Sequence, residues 1–405
     1  MKIINNKFME GVKKFKGAGI SAGLKHSGKK DLSIIYSEEK AVVAGTFTTN
    51  KVKAACIILN MENIKNENSQ AIIINSGHAN ACTGEQGLRD AKTINEVVAK
   101  ELGLSSKEVL QASTGVIGVS IPMNKMENGI KKICSVVSEE GGSDVAKAIM
   151  TTDTKTKEVT VEINIDNKNV RISGVAKGSG MIKPNMATML SFVVTDANIS
   201  KKMLQKAVKN SVEDSYNMIS VDGDTSTNDM SITMANGAAR NKLIDSENEE
   251  FKIFKEALDY VNIELAKKIA RDGEGATKLI EVEVINAKDK ETARKCAMSV
   301  VSSNLVKAAL FGSDPNWGRI ICAIGYSQVE FDINKVDLKF KSLLGEVSVF
   351  EQGKNIDFDE KMASEIINNE NVVLCINLND GHFKATAWGC DLTYKYVEIN
   401  GEYRT

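Results

Sequence analysis

A crowded bend that opens into a buried strand constrains this chain more than any other stretch. Residues 177–190 read KGSGMIKPNMATML, in which two closely spaced glycines and a Lys-Pro-Asn tripeptide favour turns. From Met189 the sequence becomes the apolar run MLSFVV, which predicts a buried strand. The bend therefore delivers one hydroxyl, that of Thr188, to the first position of a strand.

The charge balance excludes two classes of partner. Lys and Arg number 52 and Asp and Glu number 53, for a net charge of -1. This balance gives no electrostatic reason for binding nucleic acid or an anionic membrane surface. The N-terminal 15 residues lack the apolar segment of a secretory signal, and no apolar run is long enough to span a membrane. We therefore expect a cytoplasmic protein.

Cysteine and histidine usage argues against a disulfide framework and against a metal site. The seven cysteines are odd in number and scattered, without a CxxC pair, which fits a reducing compartment. The three histidines, His26, His78 and His382, are not at metal-ligand spacing. We expect no metal. His78, in a polar loop without a recognised nucleophile beside it, is interpreted as structural and not as a base.

Two short stretches partly match the motifs of a phosphate-binding loop and a calcium-binding loop but lack residues that these sites require. Residues 23–29 satisfy GxxxxGK, but Lys30 stands where a phosphate loop needs a hydroxyl for magnesium. Residues 222–233 open like a calcium loop, but Thr227 replaces the required glycine and Thr233 the bidentate glutamate. Neither a nucleotide nor calcium is expected.

Motifs spread along the whole chain resemble those of one enzyme family. Besides the central bend, these are the N-terminal stretch at 11–35, STGVIG at 113–118, VDGDTSTNDM at 221–230 and FGSDPNWGRI at 311–320. Together they resemble ornithine acetyltransferase, also called glutamate N-acetyltransferase, of the cyclic route to arginine. Members cut their own chain before the threonine of the bend. The resemblance thus implies cleavage between Ala187 and Thr188, giving an alpha chain of residues 1–187 and a beta chain of residues 188–405.

The resemblance also implies roles for individual residues. Thr188 is the nucleophile, and Thr114 with Gly115 forms the oxyanion hole. The implied substrate-binding residues are Thr154, Lys177, Thr188, Glu274, Asn400 and Thr405. The roles of the 222–229 and 311–320 motifs cannot be derived from the sequence.

A threonine at a cut site suits acyl transfer. Its hydroxyl is a weak nucleophile until a base takes the proton, and cleavage creates an α-amine on the same residue with an ordinary pKa near 8. The resemblance implies a ping-pong transfer from N-acetylornithine to glutamate without a cofactor. It also implies two copies of each chain in the assembly. Whether acetyl-coenzyme A is a second donor stays open, since no coenzyme fingerprint is present.

Two other classes of function stay in view. One is a self-cleaving amidohydrolase or aminopeptidase of related architecture, which would pass the acyl group to water. The other is a binding protein that keeps the fold uncut.

Helical and alternating patterns without strict βαβ order predict an α+β fold. The resemblance implies a layered α/β sandwich, with sheets stacked between helix layers, of the self-cleaving threonine-nucleophile type. Predicted elements include a strand at 55–59, a hairpin at 159–175, and helices at 201–219, 249–271 and 291–310.

Overall fold

The structure, a computed structural model, describes residues 1–4, 7–183 and 189–402. The predicted cleavage site, Ala187 and Thr188, and the predicted pocket residue Thr405 lie outside these residues. The described chain forms two compact units. The first takes in 1–178, 184–213 and 224–265, and the second 179–183, 214–223 and 266–405. Among the described helices, none combines the length and apolar character needed to cross a membrane.

The β-strands are named in chain order. They are β1 Lys2–Ile4, β2 Phe15–Ile20, β3 Leu32–Phe47, β4 Asn68–Asn75, β5 Val109–Ser113, β6 Lys157–Ile165, β7 Lys168–Lys177, β8 Leu190–Thr195, β9 Ile219–Ser220, β10 Met230–Ala235, β11 Leu279–Ala287, β12 Asp337–Ser342, β13 Gly345–Glu351, β14 Lys354–Asn355, β15 Asn371–Asn377 and β16 Phe383–Cys390.

The α-helices are named in the same way. They are α1 Ala55–Asn63, α2 Gly84–Leu102, α3 Met123–Cys134, α4 Gly142–Ala148, α5 Lys201–Glu213, α6 Glu249–Arg271, α7 Lys290–Val301, α8 Asn304–Phe311, α9 Trp317–Gly325, α10 Glu360–Ile367 and α11 Tyr394–Gly401.

The first unit is built on a mixed sheet with the strand order β1-β6-β7-β8-β10-β3-β4-β5, and β2 also pairs with β3. Strands β6 and β7 form the predicted hairpin, whose two turn residues, Asp166 and Asn167, have positive φ. Strand β8 runs antiparallel to β7 and parallel to β10. The strand that follows residue 188 is therefore bonded on both edges.

Alternate residues of these strands face two separate apolar clusters. In β4, Ile72 and Ile74 belong to one cluster, and Ala71 and Ile73 to the other. Helices α1 and α4 contribute to the first cluster, and α2 and α3 to the second. The sheet therefore lies between helices in this region.

All six residues of β8 are buried, as the MLSFVV run predicts. Leu190, Phe192 and Val194 enter the first cluster. On the β7 strand next to it, a Cβ on Gly174 would come 2.7 Å from Val261 of α6, so the helix packs closely here. Burial contributes about 1.5–3 kcal/mol for each large apolar side chain, which fixes the backbone just after residue 188.

The second unit is built on a mixed sheet with the strand order β14-β13-β12-β15-β11-β16-β9. Central strand β11 pairs in parallel with β15 and antiparallel with β16. Helix α7 packs on β11 and β16, and α10 packs on β12. The α+β class predicted from the sequence is confirmed by both units.

The strand predicted at 55–59 is wrong, because these residues begin helix α1. A short apolar run fits a buried helix as well as a strand. The buried face of α1 continues through two asparagines: Asn60 donates to the carbonyl of Gln111 at 2.7 Å, and Asn63 to that of Val109 at 3.1 Å. Both asparagines lie on the buried face of the helix. A search for apolar residues at helical spacing therefore does not detect this face.

Two predicted helices are too long. The helix predicted at 291–310 is two helices, since Ser303 caps the second by accepting the N–H of Val306. The helix predicted at 201–219 ends at Glu213 and is followed by a short 3-10 turn at Tyr216–Met218. By contrast, α6 has the predicted bounds. The division into chains 1–187 and 188–405 concerns a covalent cut and stays a prediction.

Candidate active site

Lys177 lies beside the start of β8 because of strand register. It is the last residue of β7 and pairs with Leu190, while Leu190 pairs on its other side with Met230 of β10. Lys177 is only 9% exposed. Lys177, a predicted substrate-binding residue, therefore lies next to the second residue after position 188.

Asp153 is the centre of a buried charge cluster in the first unit. Its carboxylate accepts hydrogen bonds from Lys157 Nζ and from the N–H of Gly178, both at 2.7 Å. Burial alone would raise the pKa of Asp153, but the charges of Lys177 and Lys157 and these hydrogen bonds hold it well below its ordinary value. The cluster fixes the end of β7, where Lys177 lies. The next residue, Thr154, is exposed.

The predicted oxyanion residues follow the last residue of β5. The N–H of Thr114 donates to the carbonyl of Asn75 at 3.0 Å, so this N–H is already used within the fold. The role of Gly115 as the main-chain donor stays a prediction. Gly115 has a φ of +132°, and a Cβ there would lie 2.5 Å from the oxygen of Gly77. Only glycine fits this turn without displacing the neighbouring backbone.

Asn228 connects this turn to the strand next to β8. Its side-chain amide donates to the carbonyl of Ser113 at 2.8 Å and to that of Ala79 at 2.6 Å. Ser113 immediately precedes Thr114, and Asn228 lies two residues before β10. The second half of the VDGDTSTNDM motif thus holds the predicted oxyanion turn, a role that its polar, turn-like sequence did not reveal.

Asp229 is a buried carboxyl group that the sequence reasoning missed. It is 3% exposed and directly precedes β10. Burial raises its pKa well above the ordinary value, while the charge of Lys177 and the N–H of Met189 act in the opposite direction. An Asp immediately before the alternating sequence MSITMA, whose six residues are all buried, was the available signal.

His78 lies beside the turn that contains Gly115, because it forms an isolated parallel β-bridge with Val116. Its N–H donates to the side-chain oxygen of Asn75 at 2.9 Å, and its Nδ1 is buried without a hydrogen-bond partner among the described residues. Burial, together with the charge of His26, lowers the pKa of His78. The structural interpretation of His78 stays a prediction.

In the second unit, two predicted substrate residues are in contact. The amide of Asn400 donates to Glu274 Oε2 at 2.8 Å, and Glu274 is 8% exposed. The N–H of Glu274 donates to the carbonyl of Ser179 at 2.9 Å. A Cβ on Gly180 would lie 2.3 Å from Glu274 Oε2, so the second glycine of the bend makes room for this carboxylate.

Asp222, the first acid of the VDGDTSTNDM motif, also binds backbone of the bend. Its carboxylate accepts the N–H of Met181 at 2.6 Å and that of Ile182 at 2.8 Å. The hydroxyl of Tyr396 lies 3.3 Å from the same group. Asp222 is thus a ligand for main-chain N–H groups.

The described residues contain no group of three His, Cys, Asp or Glu side chains that could hold a metal ion. The functional groups of the predicted site residues and their neighbours are hydroxyls, carboxylates, amides, lysine ammonium groups and main-chain N–H donors. Thr114, Gly115, Thr154 and Lys177 lie in the first unit, and Glu274 and Asn400 in the second.

Comparison with known proteins gives consistent matches along the chain. The profile of the ArgJ family matches residues 16–405. The arginine biosynthesis bifunctional protein ArgJ 1 of Clostridium acetobutylicum is 55% identical over 405 residues, covering 100% of this chain and 99% of that protein. The ArgJ protein of Caldanaerobacter subterraneus subsp. tengcongensis is also 55% identical, with 100% of both chains covered.

A solved structure agrees with these relatives. The crystal structure of the arginine biosynthesis bifunctional protein ArgJ from Bacillus halodurans superposes with a TM-score of 0.50 at 45% identity. It covers 52% of this chain and 98% of the solved chain. The family resemblance inferred from the motifs is confirmed: the chain belongs to the ArgJ family.

Proposed function

We propose that this chain is a self-processing acetyltransferase. It cuts itself between Ala187 and Thr188 and then transfers the acetyl group of N2-acetyl-L-ornithine to L-glutamate through an ester on Thr188. The observation that carries the proposal is the register at the start of β8, which sets Lys177 opposite Leu190, two residues after the nucleophile. Family membership over the whole chain supports the same reaction.

In the proposed self-cleavage, the Thr188 hydroxyl is the nucleophile and one water is consumed. The hydroxyl of Thr188 attacks the carbonyl carbon of Ala187, the C–N bond breaks, and the acyl group moves to the side-chain oxygen while the hydroxyl proton passes to the released α-nitrogen. Water then hydrolyses this ester. The products are a carboxylate on Ala187 and a free α-amine on Thr188, which can act as a general base.

Acetyl transfer uses the same oxygen. As Thr188 attacks the acetyl carbonyl of acetylornithine, its α-amine takes the hydroxyl proton. The Thr114 hydroxyl and the Gly115 N–H donate to the oxygen that becomes negative, and each such donor contributes about 3–4 kcal/mol to lowering the barrier. The intermediate collapses, the C–N bond to ornithine breaks, and the leaving nitrogen receives the proton. The amine of glutamate then attacks the ester carbonyl, the C–O bond to Thr188 breaks, and the Thr188 oxygen takes a proton from the attacking amine as acetylglutamate is released.

The charged residues suggest how the substrate is recognised. Lys177 would bind a substrate carboxylate, and Glu274 the ammonium group of ornithine. Thr154 and Thr405 would bind polar groups. The hydrogen bond from Asn400 supports a fixed orientation of the Glu274 carboxylate. E274Q should therefore raise KM for acetylornithine, and an unchanged KM would argue against the ammonium role.

Denaturing electrophoresis of natively produced protein tests the cut. Processing would give bands for fragments of 187 and 218 residues, which together make the 405 of the chain. T188A should give one band of 44.0 kDa and form no acetylglutamate. Normal maturation and transfer by T188A would overturn the proposal.

The dependence of the reaction on the acceptor glutamate distinguishes acetyl transfer from hydrolysis. Ornithine release from acetylornithine should depend on added glutamate, whereas an amidohydrolase would ignore it. The curated relatives are named bifunctional. We extend the proposal to acetyl-coenzyme A as a second donor, which would appear as acetylglutamate formed from that donor and glutamate alone.

The proposal also includes location and assembly. The enzyme would act in the cytoplasm as two alpha and two beta chains. Light scattering of the processed protein would measure the mass of the assembly.

A further inference from the structure

Asp229 has an unsatisfied buried oxygen that the steps above do not use. Its Oδ2 is buried and has no hydrogen-bond partner within the described residues. Buried polar atoms in folded proteins nearly always have a partner, because burial without one costs free energy. An exception beside a reaction centre therefore calls for a functional explanation.

The position of Asp229 is fixed by three neighbouring strands. The pairing of Met230 with Leu190 places Asp229 beside Met189, whose N–H hydrogen-bonds to the Asp229 carboxylate. On the opposite side, the N–H of Thr48, just after β3, donates to the Asp229 carbonyl at 3.0 Å. The carboxyl group is thus held beside the N–H of Met189, the residue that follows position 188.

A structural role does not account for both oxygens. Asp196, just after the other end of β8, is also a buried carboxyl group. Its two oxygens are both used, since Oδ1 accepts the N–H of Arg171 at 2.8 Å and Oδ2 that of Lys13 at 3.4 Å. Asp196 therefore shows what a strand-end carboxylate with only a structural role looks like in this sheet, and Asp229 differs from it.

We propose that Asp229 is a positioning residue for the α-amine created at residue 188. One carboxylate oxygen binds the Met189 N–H, and Oδ2 accepts a hydrogen bond from the ammonium that forms when the amine takes the threonine proton. The proton stays on nitrogen and passes on to the leaving ornithine nitrogen. This inference rests on the proposed function, and it adds a third group that orients the base, as in other nucleophile-base pairs.

The charges around Asp229 are consistent with this role. Lys177 of β7, the N–H of Met189 and the N–H of Asp229 itself act on its carboxyl, and all three favour the ionised form. Burial opposes ionisation and raises the pKa of Asp229. An adjacent ammonium would shift the balance further toward the carboxylate.

The test compares D229N with D196N, a matched replacement of the other buried carboxyl group. D229N should lower kcat for acetyl transfer on the order of 100-fold, with little change in KM for acetylornithine. Without the carboxylate, the amine loses its proton more readily. The rising limb of the pH profile of kcat/KM should therefore move to lower pH in D229N and stay in place in D196N.

Each result has a defined meaning. Wild-type kcat and an unshifted limb in D229N would overturn the inference. If the wild-type protein itself transfers no acetyl group, the proposed function fails, whatever D229N does. If D229N does not fold, D229E decides: displacing the carboxyl group by a methylene should lower kcat at least about tenfold, and wild-type kcat would overturn the inference.

Discussion

The side-chain amide of Asn228 donates to the main-chain oxygen of Ser113 at 2.8 Å. This bond joins the start of β10, the strand beside β8, to the residue that precedes the proposed oxyanion donors. The same amide also binds the carbonyl of Ala79 at 2.6 Å. The buried side chain of Asn228 therefore fixes the distance between β10, which pairs with β8, and the turn that carries Thr114.

Replacing Asn228 by Ala should impair catalysis as well as folding. Two carbonyls lose a donor, at a cost of about 1–3 kcal/mol each when buried. The turn can then shift, and because a displacement of about 1 Å at a reacting centre can cost on the order of 100-fold, kcat should fall by about 10- to 100-fold. Steady-state kinetics and thermal unfolding measure the two effects.

Asn60 provides the matched control. Its amide also donates to a β5 carbonyl, that of Gln111, at 2.7 Å, and its oxygen accepts the Gln111 N–H at 3.0 Å. N60A should lower the melting temperature at least as much as N228A while leaving kcat near the wild-type value. Equal losses of kcat in both variants would mean that general loosening of β5 explains the effect.

The sequence predicted the elements whose signals are local. The apolar run of β8 and the alternation of β6 and β7 are visible in neighbouring residues, as is the amphipathic pattern of α6. Helix α1 was missed because Asn60 and Asn63 are buried by bonding to β5, which no local pattern reveals.

The site was predicted only in part for the same reason. Glu274 and Asn400 are 126 positions apart and were assigned by resemblance, and the structure shows their contact. Asp153 and Asp229 were not singled out. Their environments depend on strand register and on lysines from other segments, so their importance appears only in the folded chain.

The absence of a side chain at Gly115 should be essential for the conformation of the oxyanion turn. In G115A the new Cβ would lie 2.5 Å from the oxygen of Gly77 and 2.9 Å from the nitrogen of His78. The turn must move, and loss of one oxyanion donor costs about 10²–10³ in kcat. Acetyl transfer assays should show a fall of this size.

Gly118 separates the steric effect from backbone strain. It also has positive φ, +79°, but a Cβ there has no atom within 4 Å. G118A should cost about 1–3 kcal/mol of stability from strain and little activity. A comparable loss of kcat in G118A would show that backbone conformation, and not the clash, controls the turn.

Adding a methyl group at Gly180 should weaken substrate binding. The Cβ in G180A would lie 2.3–2.5 Å from the carboxylate atoms of Glu274, which must then move from its bond with Asn400. A loss of about 1.4 kcal/mol in binding corresponds to a tenfold rise in KM for acetylornithine.

Gly325, at the end of α9, has no atom within 4 Å of its Cβ position, so G325A should leave KM unchanged. A tenfold rise in both variants would contradict the proposed contact effect.

Asp153 should make stability depend on pH in the acid range. Its pKa is well below the ordinary value in the folded chain, so its contribution is present above the unfolded pKa of about 3.9 and is lost as pH falls below that value. D153N leaves Lys157 buried without its carboxylate and should cost about 3–5 kcal/mol at pH 7. Urea unfolding at pH 7 and near pH 3 should therefore show a smaller difference from the wild type at the lower pH.

Glu38 supplies the comparison for Asp153. It pairs with Lys16 at 2.5 Å, but both side chains are substantially exposed. Because water screens such a pair, E38Q should change the free energy of unfolding little at either pH. If D153N lost the same free energy at both pH values, the effect would come from packing at Asp153 and not from its charge.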